Sequence, residues 1–170
     1  MLKKATILAV VLAAAFAVMM LATGEKEFSV ENSHLVGRPA ADLWKVLTAV
    51  ESWPRWWPGV EKSSLSPSLR QGATLELVLR GNSRTTPARI ERVVPGQELV
   101  WSRGGVLGSR SRTTLRLKPA AEGTRVSIES RIHGPQAFLA GLTGRNEFSR
   151  YHETVLAGLE AATDKEQENP

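Results

Sequence analysis

For proton transfer or metal ligation the chain offers three histidines, His34, His133 and His152, and no cysteine. Without cysteine there is no thiolate nucleophile, no thiolate metal site, no disulfide scaffold and no lipid-modified N-terminal cysteine. His34 and His133 fall at the ends of predicted strands, 99 positions apart. No His-x-x-x-His or carboxylate-rich spacing marks a zinc or iron site, and no glycine-rich turn leads into a helix as nucleotide binding requires. The expectation is therefore no metal and no cofactor. Gly104-Gly-Val-Leu-Gly108 joins two strands and reads as a hairpin loop, because no helix N-terminus follows it to hold a phosphate.

His152 has more telling company. Phe148, Tyr151, His152, Val155, Leu156 and Leu159 fall at i, i+3, i+4, i+7, i+8 and i+11, one apolar stripe of a predicted helix. A histidine on that stripe faces the interior. It is either a core ring held by hydrogen bonds, or a polar anchor for a ligand head or an enolisable carbonyl. Glu153 points about 100° away, toward solvent. Tryptophan is the second signal: five in 170 residues, three of them within Trp53-Pro-Arg-Trp-Trp57. Such rings plug a sheet core or form a rigid aromatic wall whose indole N–H orients a guest. Trp101 alternates with Leu99 on a predicted strand and can line the same space.

The elements that must position these residues are legible in turn. Phe28 to His34 reads as a first strand, and Arg38 to Val50 as a helix with Pro39 in its first turn and Leu43, Trp44, Leu47 and Val50 on one face. Two prolines stop that helix, so Ser52 to Gly59 is a turn or a short second helix. Strands with period-two alternation follow: Thr74 to Arg80, with Leu75, Leu77 and Leu79 on one face; Thr85 to Val94; Leu99 to Trp101; Arg112 to Lys118; and Arg125 to Ile132. Alternation of this kind means one covered and one wet face, hence an antiparallel sheet. A turn of helix around Phe138, Leu139 and Leu142 precedes the last helix, interrupted near Gly141 or Gly144. Residues 164–170 carry no apolar side chain and read as a disordered tail.

Residues 1–24 read as a membrane anchor or a signal peptide. After Lys3 and Lys4, Ala5 to Ala22 is an uncharged run of eighteen residues. As a helix it spans about 27 Å, nearly a hydrocarbon core, and is longer than the ~7–15-residue apolar part of a cleaved signal. Ala22-Thr23-Gly24 nevertheless places small residues where a signal peptidase reads. In both cases the leading lysines keep the N-terminus in the cytoplasm and export the rest. The expected location is the outer side of the cytoplasmic membrane, single-pass through residues 5–22, or secretion after cleavage.

Export and charge distribution both argue against a nucleic-acid partner. The whole chain is +5, but without Lys3 and Lys4 twenty basic residues face seventeen acidic ones. The excess is local: Arg70 to Arg131 carries eleven Arg and one Lys against five Glu, while Glu147 to Pro170 carries six acids against two bases. Arg110, Arg112, Arg116, Arg125 and Arg131 sit at strand spacing and read as the solvated face of the sheet, with anionic lipid headgroups as the other option.

Arg38-Pro-Ala-Ala-Asp-Leu-Trp44, Trp53-Pro-Arg-Trp-Trp-Pro-Gly-Val60, Gly72-Ala-Thr74, Val93-Val-Pro-Gly-Gln-Glu-Leu-Val-Trp101 and Glu122-Gly-Thr-Arg-Val126 together resemble the START-related helix-grip superfamily, SRPBCC. Within it, the chain is similar to the polyketide cyclase/dehydrase and lipid-transport branch over about residues 28–162. The motifs are short and mostly structural; the N-terminal apolar run departs from many soluble members. The resemblance implies an α+β helix-grip fold over residues 25–163, a curved antiparallel sheet wrapped around a long C-terminal helix with an elongated apolar cavity between them. Trp53, Trp56, Trp57, Leu77 and Trp101 are its expected lining from the sheet side and the tryptophan turn. Phe138, Phe148, Tyr151, His152 and Val155 are expected from the helices. The expected function is binding or carrying a hydrophobic small molecule (lipid, quinone or polyketide-like). The alternatives are a cyclase or aromatase working in the same cavity, and an interaction module with a filled core.

Overall fold

Pro39, three residues past the first strand, has extended backbone (φ −61°, ψ 145°) and precedes a helix whose Leu43, Val46 and Leu47 are buried on one side. In the computed structural model, residues 27–81 and 85–168 are described, together with Thr6, Ile7, Val10, Val11, Ala14 and Val18. Strand β1 (Glu27–Val36) leads into α1 (Ala40–Thr48), a 3-10 turn (Val50–Ser52) and the single helical turn α2 (Trp53–Trp56). Six strands follow, β2 (Val60–Ser66), β3 (Thr74–Leu79), β4 (Thr85–Val94), β5 (Glu98–Gly104), β6 (Arg110–Ala120) and β7 (Gly123–His133). Helices α3 (Pro135–Thr143) and α4 (Arg145–Glu168) complete the chain.

The sheet is wholly antiparallel in the order β1-β7-β6-β5-β4-β3-β2, so the first strand pairs with the last, Phe28 opposite Ile132 and Val36 opposite Thr124. Irregular registers at Val60/Lys62 and Ile90/Arg92 bend strands β2 and β4, which helps the sheet curve. Leu75, Ile90, Leu99, Leu115, Leu117, Val126 and Ile128 form its covered face, buried with Val155, Leu156 and Leu159 of α4.

The other face carries the arginines as ion pairs. Arg116 reaches Glu98 at 2.9 Å and Glu129 at 3.3 Å, Arg131 bonds Glu129, and Arg112 bonds Glu91 at 2.9 Å. Burial raises the pKa of Glu129, but hydrogen bonds from Arg131 and Arg116 outweigh it and hold the carboxyl below its ordinary range. Arg112, Arg116 and Arg131 are thus paired with the carboxylates that the same strands carry.

The structure departs from the sequence reading in two places. Val60–Ser66 is a strand, though Val-Glu-Lys-Ser-Ser-Leu-Ser alternates too weakly to announce one. Helix α4 continues through Glu168, over most of the expected tail, with Asp164 accepting a hydrogen bond from Arg38 Nε at 2.8 Å. Residues 164–168 are also mostly good helix formers, so propensity and the anchor at Arg38 act together. The break between α3 and α4 falls at Gly144, where a β-carbon would lie 2.7 Å from the Ala140 carbonyl oxygen. The expected membrane run, residues 5–22, lies mostly outside the described residues; among those, no helix is long and apolar enough to cross a membrane.

Candidate functional site

Pro54 and Pro58 confine the tryptophan turn to one helical turn, which throws its three indoles onto the covered face of the sheet. Trp53 is fully buried and central, its ring centroid 4.6 Å from that of Trp57, 5.6 Å from Trp101 and 6.3 Å from Trp56. Trp56 and Trp57 are 5.3 Å apart, and Trp57 and Trp101 5.8 Å. Offset and tilted aromatic contacts at these distances add to the area each ring buries. Leu77 and Val155 are buried in the same cluster.

The three indole N–H groups of the turn differ in a way that matters chemically. Trp53 Nε1 donates to the Leu47 carbonyl at 2.9 Å, which ties the central ring to the end of α1. Trp57 Nε1 donates to the Tyr151 hydroxyl at 2.7 Å, linking the turn to α4. Trp56 Nε1 is buried and has no acceptor among the described residues. A buried donor left unmatched costs about 1–3 kcal/mol, which an acceptor brought by a guest or a water would recover.

Tyr151 is 41% exposed and marks where the aromatic cluster meets solvent. Partial desolvation raises its pKa against the opposing hydrogen bond from Trp57, so the phenol stays protonated at neutral pH.

His152, on the same helix, is fully buried and belongs to a different arrangement. Its Nδ1 lies 3.2 Å from Asn32 Oδ1 and its Nε2 2.9 Å from Ser130 Oγ, while Asn32 Nδ2 donates to Ser149 Oγ at 2.7 Å. Because Asn32 presents an oxygen, Nδ1 carries the proton and Nε2 accepts from the Ser130 hydroxyl. Burial drives the His152 pKa down to about 4, so the ring is neutral at physiological pH. With both nitrogens engaged, it pins α4 to β1 and β7. Phe148 sits beside this network, 6.5 Å from the His152 ring, and packs on Phe28 at 5.4 Å in a small second cluster. Phe138 lies on α3 and is partly exposed.

The expected lining residues are therefore divided. The four tryptophans, Leu77 and Val155 come together, Tyr151 closes their edge, and Phe148, His152 and Phe138 lie apart from them. The space between sheet and α4 is occupied by indole rings. Of three concavities that stand out among the described residues, none is lined by Trp53, Trp57, Trp101 or His152. The largest, about 560 Å³, is a groove between α1, α2 and the last third of α4, lined by Ala49, Gly158, Ala161 and Ala162 and bordered by Trp56. That volume lies within the range of small-molecule sites. A β-carbon at residue 158 would collide with the Trp56 carbonyl oxygen, so glycine there lets α4 lie directly on the tryptophan turn. Arg55 and Lys165 bring positive charge to the groove, beside Glu166. Asn32, Ser130, Ser149 and the Trp56 groove carry no local sequence signal that marks them. Among the described residues no group of three or more His, Asp or Glu side chains is placed to hold a metal.

Residues 27–163 match the family described as polyketide cyclase / dehydrase and lipid transport. Protein NE0264 from Nitrosomonas europaea is similar in structure, with a TM-score of 0.68 at 20% identity over 83% of this chain and 97% of that one. A norcoclaurine synthase from Thalictrum, solved with a transition-state analogue, gives a TM-score of 0.66 at 13% identity, over 84% of this chain and 97% of that one. The di-domain aromatase/cyclase StfQ of the steffimycin biosynthetic pathway gives 0.66 at 15% identity over 84% of this chain, which spans only about half (52%) of that protein. At these identities the likeness is one of fold. No match is found among the curated proteins.

Proposed function

Because the chain belongs to the polyketide cyclase, dehydrase and lipid-transport family, we propose that it binds or carries a hydrophobic small molecule, a lipid, quinone or polyketide-like compound, at the outer face of the cytoplasmic membrane. The observation that carries the reading is Trp56. Its indole is part of the aromatic cluster and borders the 560 Å³ groove, and its buried N–H lacks an acceptor among the described residues. A guest that lays apolar surface along Ala161 and Ala162 and carries a carbonyl or carboxylate oxygen supplies that acceptor once the Trp56 ring turns its buried N–H toward the groove. Arg55 and Lys165 suit an anionic head.

In this reading Trp53, Trp101, Leu77 and Val155 do not line the groove; they are the packed core that backs Trp56. Tyr151 is the adjustable edge of that core, since it is exposed and one neutral hydrogen bond worth about 1 kcal/mol ties it to the buried Trp57. Phe138 and Phe148 border the end of the domain nearest β1, and His152 keeps α4 seated on the sheet. The run at residues 5–22, led by Lys3 and Lys4, supports the membrane location.

Isotope-edited NMR tests the reading on the full-length protein in detergent. The five indole N–H groups of Trp44, Trp53, Trp56, Trp57 and Trp101 each give one correlation. Decanoate or decylubiquinone is expected to move the Trp56 signal downfield, the Trp57 signal less, and to leave that of Trp53 in place. If no indole signal moves, or Trp44 moves as far as Trp56, the proposed guest does not bind there.

A further inference from the structure

One end of the domain is apolar where it should be wet. Strand register brings the start of β1, the end of β7, the start of β6 and the end of β5 together, with Glu27 opposite His133, His133 opposite Arg110, and Arg110 opposite Gly104. The β5–β6 loop and helix α3 both emerge at this end. They are joined there by the Gln136 backbone N–H, which donates to Ser109 Oγ at 3.0 Å. Ala137 turns inward against Phe28 and Val30, while Leu139 (63% exposed) and Leu142 (65%) turn outward. On the loop, Val106 (62%) and Leu107 (49%) are equally bare. Leu107 is held there in the left-handed backbone region, at φ 55°, which a branched side chain rarely adopts. Residues 105–109 and 135–144 contain no charged side chain; Arg110 and Arg145 flank them, with Glu27 and Glu147 the nearby acids.

The same end receives the N-terminal run. Four residues separate Ala22 from Glu27, the first residue of β1, so the apolar run ends at most about 18 Å from Glu27. Ile7, Val10, Val11 and Val18 of the run are themselves exposed, and a bilayer suits both surfaces.

We propose that Val106, Leu107, Leu139 and Leu142 seat this end of the domain in the lipid interface, with Arg110 and Arg145 at headgroup level. The inference rests on the membrane location given under Proposed function. Insertion removes the four apolar side chains from water, and arginine stems can reach phosphates from the rim. Tyr151, six residues into α4 from Arg145 and so about 9 Å along it, then stands between the bilayer and the indole cluster.

The chain has no cysteine, so a single substitution creates a unique labelling position. Val106→Cys, Leu142→Cys and, as a reference, Glu122→Cys in the β6–β7 turn at the opposite end carry an environment-sensitive fluorophore. The reference is about 33 Å away along β7. Full-length protein is reconstituted into vesicles of phosphatidylcholine and phosphatidylglycerol with brominated acyl chains. The labels at 106 and 142 are expected to shift to the blue and lose most of their emission, and the label at 122 to do neither. Protein that floats with the vesicles while 106 and 142 report water overturns this inference alone. Blue-shifted labels that bromine does not quench also overturn it, because protein then covers the face: the chain's own run or a second copy. Protein that fails to float overturns the membrane location as well.

Discussion

His152→Ala is expected to destabilise the protein by about 3–5 kcal/mol at neutral pH, because it opens a core cavity and strands the polar atoms of Asn32 and Ser130. That is a large share of a typical domain's stability of about 5–15 kcal/mol. The loss has a pH signature that a merely apolar core residue lacks. The folded His152 pKa is about 4, against 6.5 in the unfolded chain. Above pH 6.5 neither state binds the proton, and stability is whole. Between 6.5 and 4 the unfolded chain takes up a proton that the buried ring refuses, so stability falls as pH falls. Below 4 both states are protonated and the effect levels off. The full difference is about 3 kcal/mol. The stability gap between native protein and variant, measured by urea unfolding at pH 7 and at pH 4, is expected to narrow by about that amount. A gap that stays constant with pH contradicts the hydrogen-bonded, neutral ring.

Trp53→Ala is expected to cost about 3–5 kcal/mol, whereas Trp57→Phe, which loses one hydrogen bond and leaves a small void, costs about 2 kcal/mol. The first removes the fully buried centre of the indole cluster and leaves the Leu47 carbonyl without its donor. The second keeps an aromatic ring and gives up one hydrogen bond to the half-exposed Tyr151. Equilibrium urea unfolding of both variants checks the order. Equal losses would mean that the core and its edge are equally rigid, and that no part of the cluster is free to adjust to a guest.

The fold was legible where period-two alternation is strict. Thr113, Leu115 and Leu117, or Val126, Ile128 and Ile132, state their faces without help from the rest of the chain. Strand β2 was not legible, because Val60 and Leu65 are its only large apolar residues and the irregular register at Val60/Lys62 breaks the alternation between them. The end of α4 was hidden for another reason. Residues 164–168 bury no apolar side chain, and what holds Asp164 is an arginine 126 positions away.

The candidate site divides along the same line. Trp53, Trp56, Trp57 and Trp101 announce a cluster by residue type and by strand or turn position. The role of His152 depends on Asn32 and Ser130, which are 120 and 22 residues distant on two strands. Local spacing carries no trace of that network. Nor could it reveal that, among the described residues, Trp56 alone of the three turn indoles lacks an acceptor, since that depends on where every neighbouring carbonyl ends up.

Native mass spectrometry of the full-length protein extracted from its own membrane tests the central claim most directly. The account predicts a population heavier than the bare chain by the mass of one small apolar molecule, released intact on collisional activation and much reduced in Trp56→Ala. A bare chain mass in the native protein, with no adduct in any charge state under gentle activation, would contradict it.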